Sequence, residues 1–141
     1  MKINTNFFGE IEIDDKEIIV FEKGMIGFED INRFALVGEE NLFVEWLQSV
    51  DEATSFAVMD PFIADSDYNF EIPDNILEEL NIKDKNEIII RTVVIIPEDI
   101  TKIRTNLQAP VIINLKEKKA AQIMLDDNYP IRYEFYDKVR V

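Results

Sequence analysis

The sequence predicts a mainly β fold, with a small antiparallel sheet that is barrel-like or strongly bent and carries one or two short helices. Short segments rich in β-branched and aromatic residues recur along the 141-residue chain, several of them alternating apolar and polar positions. Gly, Pro, Asn and Asp residues separate these segments at turn positions. Only one segment shows a convincing apolar face at helical spacing.

The N-terminal strands are predicted to form a meander. Residues 2–8 alternate apolar and polar positions, Gly9 permits a turn, and the alternation resumes over 10–14. A third strand is predicted over 16–22. These three strands would then pair in chain order.

Strand signals continue through most of the remaining chain. Further strands are predicted over 33–38, 42–50, 54–60, 86–97 and 101–108, followed by a hairpin over 110–127 with its turn at 116–119. The 86–97 segment is long enough for a helix, but its many Ile and Val residues favour a buried strand that ends at Pro97. Trp46 is expected in the core.

Helical structure is predicted in two places. Residues 72–82 predict a helix of about two turns, with Asp74 or Asn75 as its N-cap. A weaker helical turn is predicted over 28–34. The last residues, 133–141, read as an edge strand or a loosely held tail.

The composition is that of one soluble globular domain spanning residues 1–141. The apolar share is 47% and the charged share is 31%, and no apolar run approaches the roughly 20 residues that span a bilayer. The first residues lack the pattern of a signal peptide. The absence of Cys removes disulfides and thiolate metal sites. A cytoplasmic monomer without a cofactor is therefore expected.

The charge is strongly negative and unevenly distributed. The chain has 29 acidic and 15 basic residues, a formal net charge of −14, and residues 1–70 hold 16 of the acidic but 4 of the basic ones. This field disfavours direct binding of nucleic acid or of an anionic membrane. It favours basic protein partners, although solubility alone would also explain it.

A calcium loop is the first interpretation of the acidic stretch DPFIADSDYNFEIPDN. Asp65, Asp67 and Asn69 match the first three ligand positions of an EF-hand loop. The glycine of that loop is replaced by Phe70, however, and its bidentate glutamate by Ile76. An irregular, weak cation site is the alternative that stays open.

Catalysis has few candidate groups in this chain. His and Cys are both absent, which removes nucleophilic catalysis by Ser–His or Cys–His pairs and the common neutral-pH acid–base group. A carboxylate pair drawn from Asp60, Asp65, Asp67 and Glu71 could serve a hydrolase if it converged in an apolar pocket. A carboxylate-based hydrolase therefore stays open as a second alternative.

The same stretch also has the composition of a protein-binding surface. Pro61, Phe62, Tyr68 and Phe70 alternate with its acids, which combines aromatic anchors with charges that orient a partner. Further along the chain, the amides of Asn106 and Asn114 could cap turns or pair with a partner's backbone.

Five segments in series resemble a known family. They are EIEIDDKEIIVFEKGMIGFEDINRFAL, EWLQSVDEATSFAVMDPF, YNFEIPDN, TNLQAPVIIN and QIMLDDNYPIRY. In order and spacing, from about residue 2 to 133, they resemble the flagellar assembly factor FliW family. One departure is Met25-Ile26, which stands where the family commonly has Leu-Pro.

The resemblance implies a non-enzymatic cytoplasmic regulator with a small β-barrel-like fold. Members of the family bind flagellin near its C-terminal helical region, in the manner of a chaperone. They also bind the RNA-binding translational regulator CsrA and relieve its repression of flagellin mRNA. Direct coverage of the RNA-binding surface and antagonism from a distance both remain open.

Specific residues are expected to carry the two interactions. For CsrA these are Asp65, Asp67, Glu71 and Asp74, with Tyr68 and Phe70 as anchors. For flagellin they are Asn106, Leu107, Ala109 and Pro110, with Phe62 beside them. Gly24 and Gly27 are expected to adopt unusual backbone angles.

Overall fold

The computed structural model describes residues 1–39, 41–126 and 128–139. Within these residues the strands are β1 Lys2–Thr5, β2 Gly9–Glu12, β3 Ile19–Phe21, β4 Arg33–Gly38, β5 Val44–Ser49, β6 Ser55–Met59, β7 Ile88–Ile95, β8 Arg104–Thr105, β9 Val111–Asn114, β10 Lys119–Gln122 and β11 Tyr133–Glu134. The α-helices are α1 Pro61–Ala64, α2 Asp74–Glu79 and α3 Tyr136–Val139, and 3₁₀ turns lie at Asp15–Glu17, Lys85–Glu87 and Ile100–Lys102.

Seven of the strands close into a barrel. Their neighbours run β7-β6-β5-β4-β3-β10-β9, and β9 pairs back onto β7. The β3–β10 pair is parallel, whereas the other barrel pairs are antiparallel. The expected mainly β, barrel-like fold with short helices is therefore confirmed.

Strand β7 changes partner along its length. Its first half pairs with β9, from Ile88 opposite Asn114 to Arg91 opposite Val111. Its second half pairs instead with β8, where Ile95 lies opposite Arg104. This change of partner lets β8 and β11 continue the sheet beyond the barrel wall.

The apolar faces of the strands pack into several clusters. The barrel interior holds Ile19, Phe21, Met25, Phe34, Leu47, Val58, Val111, Ile113 and Ala120. A second cluster joins α2 to the outer face of β9 and β10 through Tyr68, Ile76, Leu80, Leu107, Ile112, Ala121, Ile123 and Leu125. The alternation of side chains along β9 explains both, because Ile112 and Ile113 face opposite sides. The two concave surfaces described below are built on these clusters.

The expected N-terminal meander is wrong. Strands β1 and β2 form a separate two-stranded sheet, and β3 pairs with β4 and β10 instead of β2. A capping box lies between β2 and β3, in which the Asp14 carboxylate accepts from the Lys16 N–H and the Glu17 carboxylate accepts from the Asp14 N–H. The resulting 3₁₀ turn separates β2 from β3.

Helix and turn positions depart from expectation in detail. Helix α2 forms, but Pro73 is its N-cap and no side chain caps it, so neither Asp74 nor Asn75 has that role. Residues 28–34 contain turns and the start of β4, with no helical turn. The 101–108 segment contains only the two-residue β8, because Asp99 caps a 3₁₀ turn before it.

The predicted C-terminal hairpin is present. Strands β9 and β10 pair as expected, and their turn lies at 115–118, one residue earlier than predicted. Beyond it, Phe135 is buried after β11, while Arg140 and Val141, the end of the expected tail, lie outside the described residues.

Candidate functional site

The acidic stretch begins as the short helix α1. The Asp60 carboxylate accepts a hydrogen bond from the Phe62 N–H at 3.0 Å, and Pro61 occupies the first helical position. The Asp65 N–H donates to the Pro61 carbonyl and ends the helix. The Asp60-Pro61 pair thus shapes the backbone here, as expected, and leaves the Phe62 ring 45% exposed.

Tyr68 anchors this stretch to the protein. Its side chain is 2% exposed, and its hydroxyl donates to the Leu107 carbonyl at 2.7 Å. Its ring centroid lies 5.9 Å from that of Phe62, 5.5 Å from that of Phe70 and 4.8 Å from that of Tyr129. Tyr68 was expected as an anchor for CsrA, and the structure places its ring in the core of this protein.

The four acids expected to face CsrA lie on the surface around this anchor. Asp67, Glu71 and Asp74 are exposed and Asp65 is half-buried. The Asp67 N–H donates to the Asp65 carboxylate at 3.0 Å, which tightens the loop between α1 and Tyr68. Asp74 lies in the first turn of α2.

A groove beside these acids brings several of the expected residues together. Phe62, Phe70 and Glu71 all line it, and its volume is about 550 Å³. Its apolar wall consists of Ile72, Leu77, Ile82, Ile88 and Ile90, and Asn69 and Lys85 complete the lining. A second cleft of about 470 Å³ shares Phe70 and Glu71 and extends to Asp126. We call the groove and this cleft together the acidic groove.

The residues expected to contact flagellin do not form one surface. The side chains of Leu107, Ala109 and Pro110 are buried, whereas Asn106 is half-buried. Leu107 is buried because it packs in the cluster around α2 and lies under the Tyr68 hydroxyl. Phe62 lines the acidic groove, whereas Asn106 lines a different cavity.

The two asparagine amides cap turns, as one of the alternatives predicted. The Asn106 carbonyl oxygen accepts from the Gln108 N–H at 3.0 Å. The Asn114 carbonyl oxygen accepts from the Lys116 and Glu117 N–H groups, and its amide donates to the Leu80 carbonyl at 2.8 Å. Asn114 therefore ties the end of α2 to the barrel.

A second concave surface, which sequence reasoning missed, lies at one end of the barrel. It is a cavity of about 420 Å³ lined by Met25, Ile26, Phe28, Phe56, Val93, Ile95, Arg104, Thr105, Asn106, Ala109, Gln122, Met124, Ile131 and Arg132. We call it the barrel mouth. Its lining comes from six separate parts of the chain, which is why no local motif could signal it.

The 24–28 loop forms one wall of the barrel mouth. Gly24 and Gly27 have φ values of +65° and +88°, which confirms their expected backbone angles. A Cβ at position 24 would lie 2.6 Å from the Phe28 carbonyl oxygen, so that residue must be glycine. The Ile26 N–H donates to the Gln122 side chain at 2.9 Å, and this bond holds the loop against β10.

The part of the chain that the structure describes has neither a cluster of metal ligands nor a membrane-spanning helix. There, no group of three or more acidic side chains is placed to hold a metal ion. Asp65 and Asp67 instead form the loop contact given above. No helix within the same ranges is long and apolar enough to cross a membrane.

Comparison with known proteins gives concordant results. The model of the FliW protein family matches residues 2–135. A flagellar assembly factor FliW of Ruminiclostridium cellulolyticum is 41% identical over 144 residues, which covers 99% of this chain and 97% of the relative. Another, from Caldicellulosiruptor saccharolyticus, is 39% identical and covers 97% of this chain and 91% of its own.

A solved structure agrees with the same assignment. A crystal structure of the flagellar assembly factor FliW superposes with a TM-score of 0.91 at 31% identity, covering 96% of each chain. The barrel described above is therefore shared by a relative whose sequence differs at most positions. The chain belongs to the FliW family of flagellar assembly factors.

Proposed function

We propose that this chain acts by binding two proteins and has no catalytic role. One partner is flagellin, which it holds in the manner of a chaperone before assembly. The other is CsrA, whose repression of flagellin mRNA translation it relieves. Membership of a family of flagellar assembly factors supports a role of these interactions in flagellar assembly.

The observation that carries the proposal is the acidic groove. It combines the exposed Phe62 ring, the half-buried Phe70 ring and the Glu71 carboxylate beside one apolar wall. Aromatic anchors next to charges are the combination that protein interfaces use for affinity and for fast association. With a net charge of −14, the chain attracts a basic RNA-binding protein and repels the RNA itself.

The proposed contacts with CsrA are the acids Asp65, Asp67, Glu71 and Asp74, with Phe62 and Phe70 as the aromatic contacts. Phe62 moves here from the flagellin set because it lines the acidic groove. Among the residues expected to contact flagellin, Asn106 lines the barrel mouth and is not fully buried. Flagellin is therefore proposed to dock towards the barrel mouth.

We also propose that the chain works as one domain, as a monomer and in the cytoplasm. Its negative charge supports the monomer, because two copies with a charge of −14 repel each other. Both proposed partners are cytoplasmic before flagellin is exported.

Charge reversal in and beside the acidic groove tests the proposal, because Glu71 lines the groove and Asp65 and Asp67 lie in the loop before Tyr68. The triple variant Asp65→Lys, Asp67→Lys and Glu71→Lys should slow association with purified CsrA on the order of tenfold and flatten its dependence on salt, because these charges steer the encounter. Stopped-flow fluorescence at several salt concentrations measures both effects.

A matched control separates the groove from net charge. Glu12, Glu39 and Glu98 are exposed and do not line the acidic groove, and reversing all three to Lys changes the net charge equally. A smaller effect in this control supports the site, whereas equal slowing in both triple variants contradicts it. Failure of the wild-type chain to bind either purified flagellin or CsrA would overturn the proposed function.

A further inference from the structure

The barrel mouth presents apolar side chains that no described residue covers. Five of its lining residues are exposed large hydrophobics: Ile26, Phe28, Ile95, Met124 and Ile131, with Ile131 the most exposed at 58%. Beneath them, Met25 belongs to the barrel core, and Val93 packs against that core. A contiguous exposed patch of this kind on a soluble protein marks an interaction surface.

The strand pairing explains why this surface stays open. Paired residues between β6 and β7 are Val58 opposite Val93 and Met59 opposite Thr92. Strand β6 begins three residues before Val58, and β7 continues to Ile95, yet these ends do not pair with each other. The two strands therefore separate towards the end of the barrel, with Phe56 on one side of the cavity and Ile95 on the other.

Two arginines border the apolar lining. Arg104 lies opposite Ile95 on β8, and Arg132 lies just before β11. The Arg104 Nε atom is buried and has no hydrogen-bond partner among the described residues. A buried N–H donor without an acceptor is costly, so a ligand that supplies the acceptor is favoured at this position.

Two other described arginines are paired with carboxylates. Arg33 forms an ion pair with Asp51, and Arg91 forms one with Glu45. Neither Arg104 nor Arg132 forms an ion pair with a carboxylate in the described ranges. The lining of the barrel mouth contains these two guanidinium groups and no carboxylate, although Glu134, which lies outside the lining, is the β11 partner of Arg104.

We propose that the barrel mouth docks a segment of another protein that presents apolar side chains next to a carboxylate. The apolar side chains fill the cavity between Phe28, Ile95 and Ile131. The carboxylate accepts hydrogen bonds from Arg104 and Arg132, because guanidinium groups match carboxylates in shape and charge.

The exposed apolar side chains around the cavity favour a protein segment as the occupant. Side chains such as Met124 and Ile131 remain more than half exposed around the cavity, so a small molecule inside it would leave them uncovered. A second copy of this chain is disfavoured by the repulsion between two net charges of −14. The inference deepens the proposed function and rests on it for the identity of the partner, because flagellin is proposed to dock towards this mouth.

Three labelled synthetic peptides test this inference. They share one amphipathic pattern of leucines and differ only at their polar positions, which are all Glu, all Gln or all Lys. Fluorescence anisotropy measures their affinity for the wild-type chain. We expect the Glu peptide to bind most tightly, although the negative charge of the whole protein favours the Lys peptide.

Two variants locate the binding site. Arg104→Gln combined with Arg132→Gln should lower the affinity for the Glu peptide on the order of tenfold. The affinity for the Gln peptide should stay within about twofold of the wild-type value. Lys16→Gln combined with Lys83→Gln removes the same charge at exposed positions outside the mouth. This control should change the affinity for either peptide by no more than about twofold. Ile131→Ser, at an exposed position, should lower the affinity for both the Glu and the Gln peptide without unfolding the protein.

Several results would overturn the inference. They are tighter binding of the Lys peptide, no binding of the Glu peptide, or equal losses in the two charge variants. If the arginine variant does not fold, an unchanged affinity of Ile131→Ser for the Glu peptide overturns it by itself. Flagellin and CsrA are absent from this assay, so its failure is distinguishable from failure of the proposed function.

Discussion

The acidic groove and the barrel mouth differ in how they are held and in the charge they present. In the acidic groove, Tyr68 is buried beneath exposed carboxylates and fixes the loop from below. In the barrel mouth, the apolar side chains themselves are exposed, beside Arg104 and Arg132. A net charge of −14 thus describes the whole protein but not each of its surfaces, because Glu71, Asp126 and Lys85 line the acidic groove, whereas two arginines and no carboxylate line the barrel mouth.

The largest expected effect is on the anchoring of the acidic groove. Tyr68→Ala removes a buried ring that contacts three other aromatic rings, so we expect the free energy of unfolding to fall by about 3–5 kcal/mol. Tyr68→Phe keeps the ring and should cost about 1–3 kcal/mol, because the Leu107 carbonyl loses its donor. Urea denaturation measures both, and a cost below 1 kcal/mol for Tyr68→Ala would show that the loop does not depend on this anchor.

A smaller effect is expected at the barrel mouth. The Phe28 side chain is 45% exposed, and its ring meets that of Phe56 edge to face at 5.0 Å between centroids. Phe28→Ala should lower the free energy of unfolding by about 1 kcal/mol, since such a pair is weak and the ring is half in water. A loss as large as that of Tyr68→Ala in the same urea titration would mean that Phe28 is part of the core and that the two regions do not differ as described.

The smallest effect concerns an arginine that already has its own carboxylate. Hydrogen bonding from Arg33 lowers the pKa of the Asp51 carboxyl below its usual value, with desolvation opposing. A depressed folded-state pKa stabilises the protein above the unfolded value of about 3.9, and this stabilisation is lost as the pH falls through the folded-state pKa. Both side chains are exposed, so the gain is less than about 1 kcal/mol.

The variant Asp51→Asn reveals this contribution through its pH dependence. At pH 7 it should unfold slightly more easily than the wild type, and in strong acid the two should converge. Thermal melts over this pH range measure the difference. A difference that persists unchanged in strong acid would show that Asp51 acts through its turn contacts and not through its charge.

The sequence predicted the barrel-like fold well because its signals are local. The strand at 33–38 was placed at the exact bounds of β4, and β9 and β10 were placed as a hairpin, since β-branched residues and turn residues determine both nearby. The meander failed because the partner of β3 is chosen by closure of the barrel. The pairing of Val20 with Lys119 links positions about one hundred residues apart, which no local pattern encodes.

The candidate site shows the same division between local and distant determinants. The composition around Phe62, Phe70 and Glu71 suggested a binding surface, and these residues do line one groove. The burial of Tyr68 and Leu107 was not evident from the sequence, because the two residues meet in one cluster although they lie 39 positions apart in the chain. The sequence did not predict the barrel mouth, because its lining residues meet only when the strands close into the barrel.

The parallel contact between β3 and β10 has a consequence for how the protein is made. Strand β3 leaves the ribosome early, but its barrel neighbour β10 is synthesised about one hundred residues later. Contacts this distant in sequence form slowly, and an unpaired strand edge is prone to wrong association while it waits. Because Gln122, Met124 and Ile131 complete the barrel mouth, this surface forms only after the chain has been synthesised beyond residue 131. A partner segment of the proposed kind can therefore dock only on a chain whose barrel strands have all been made.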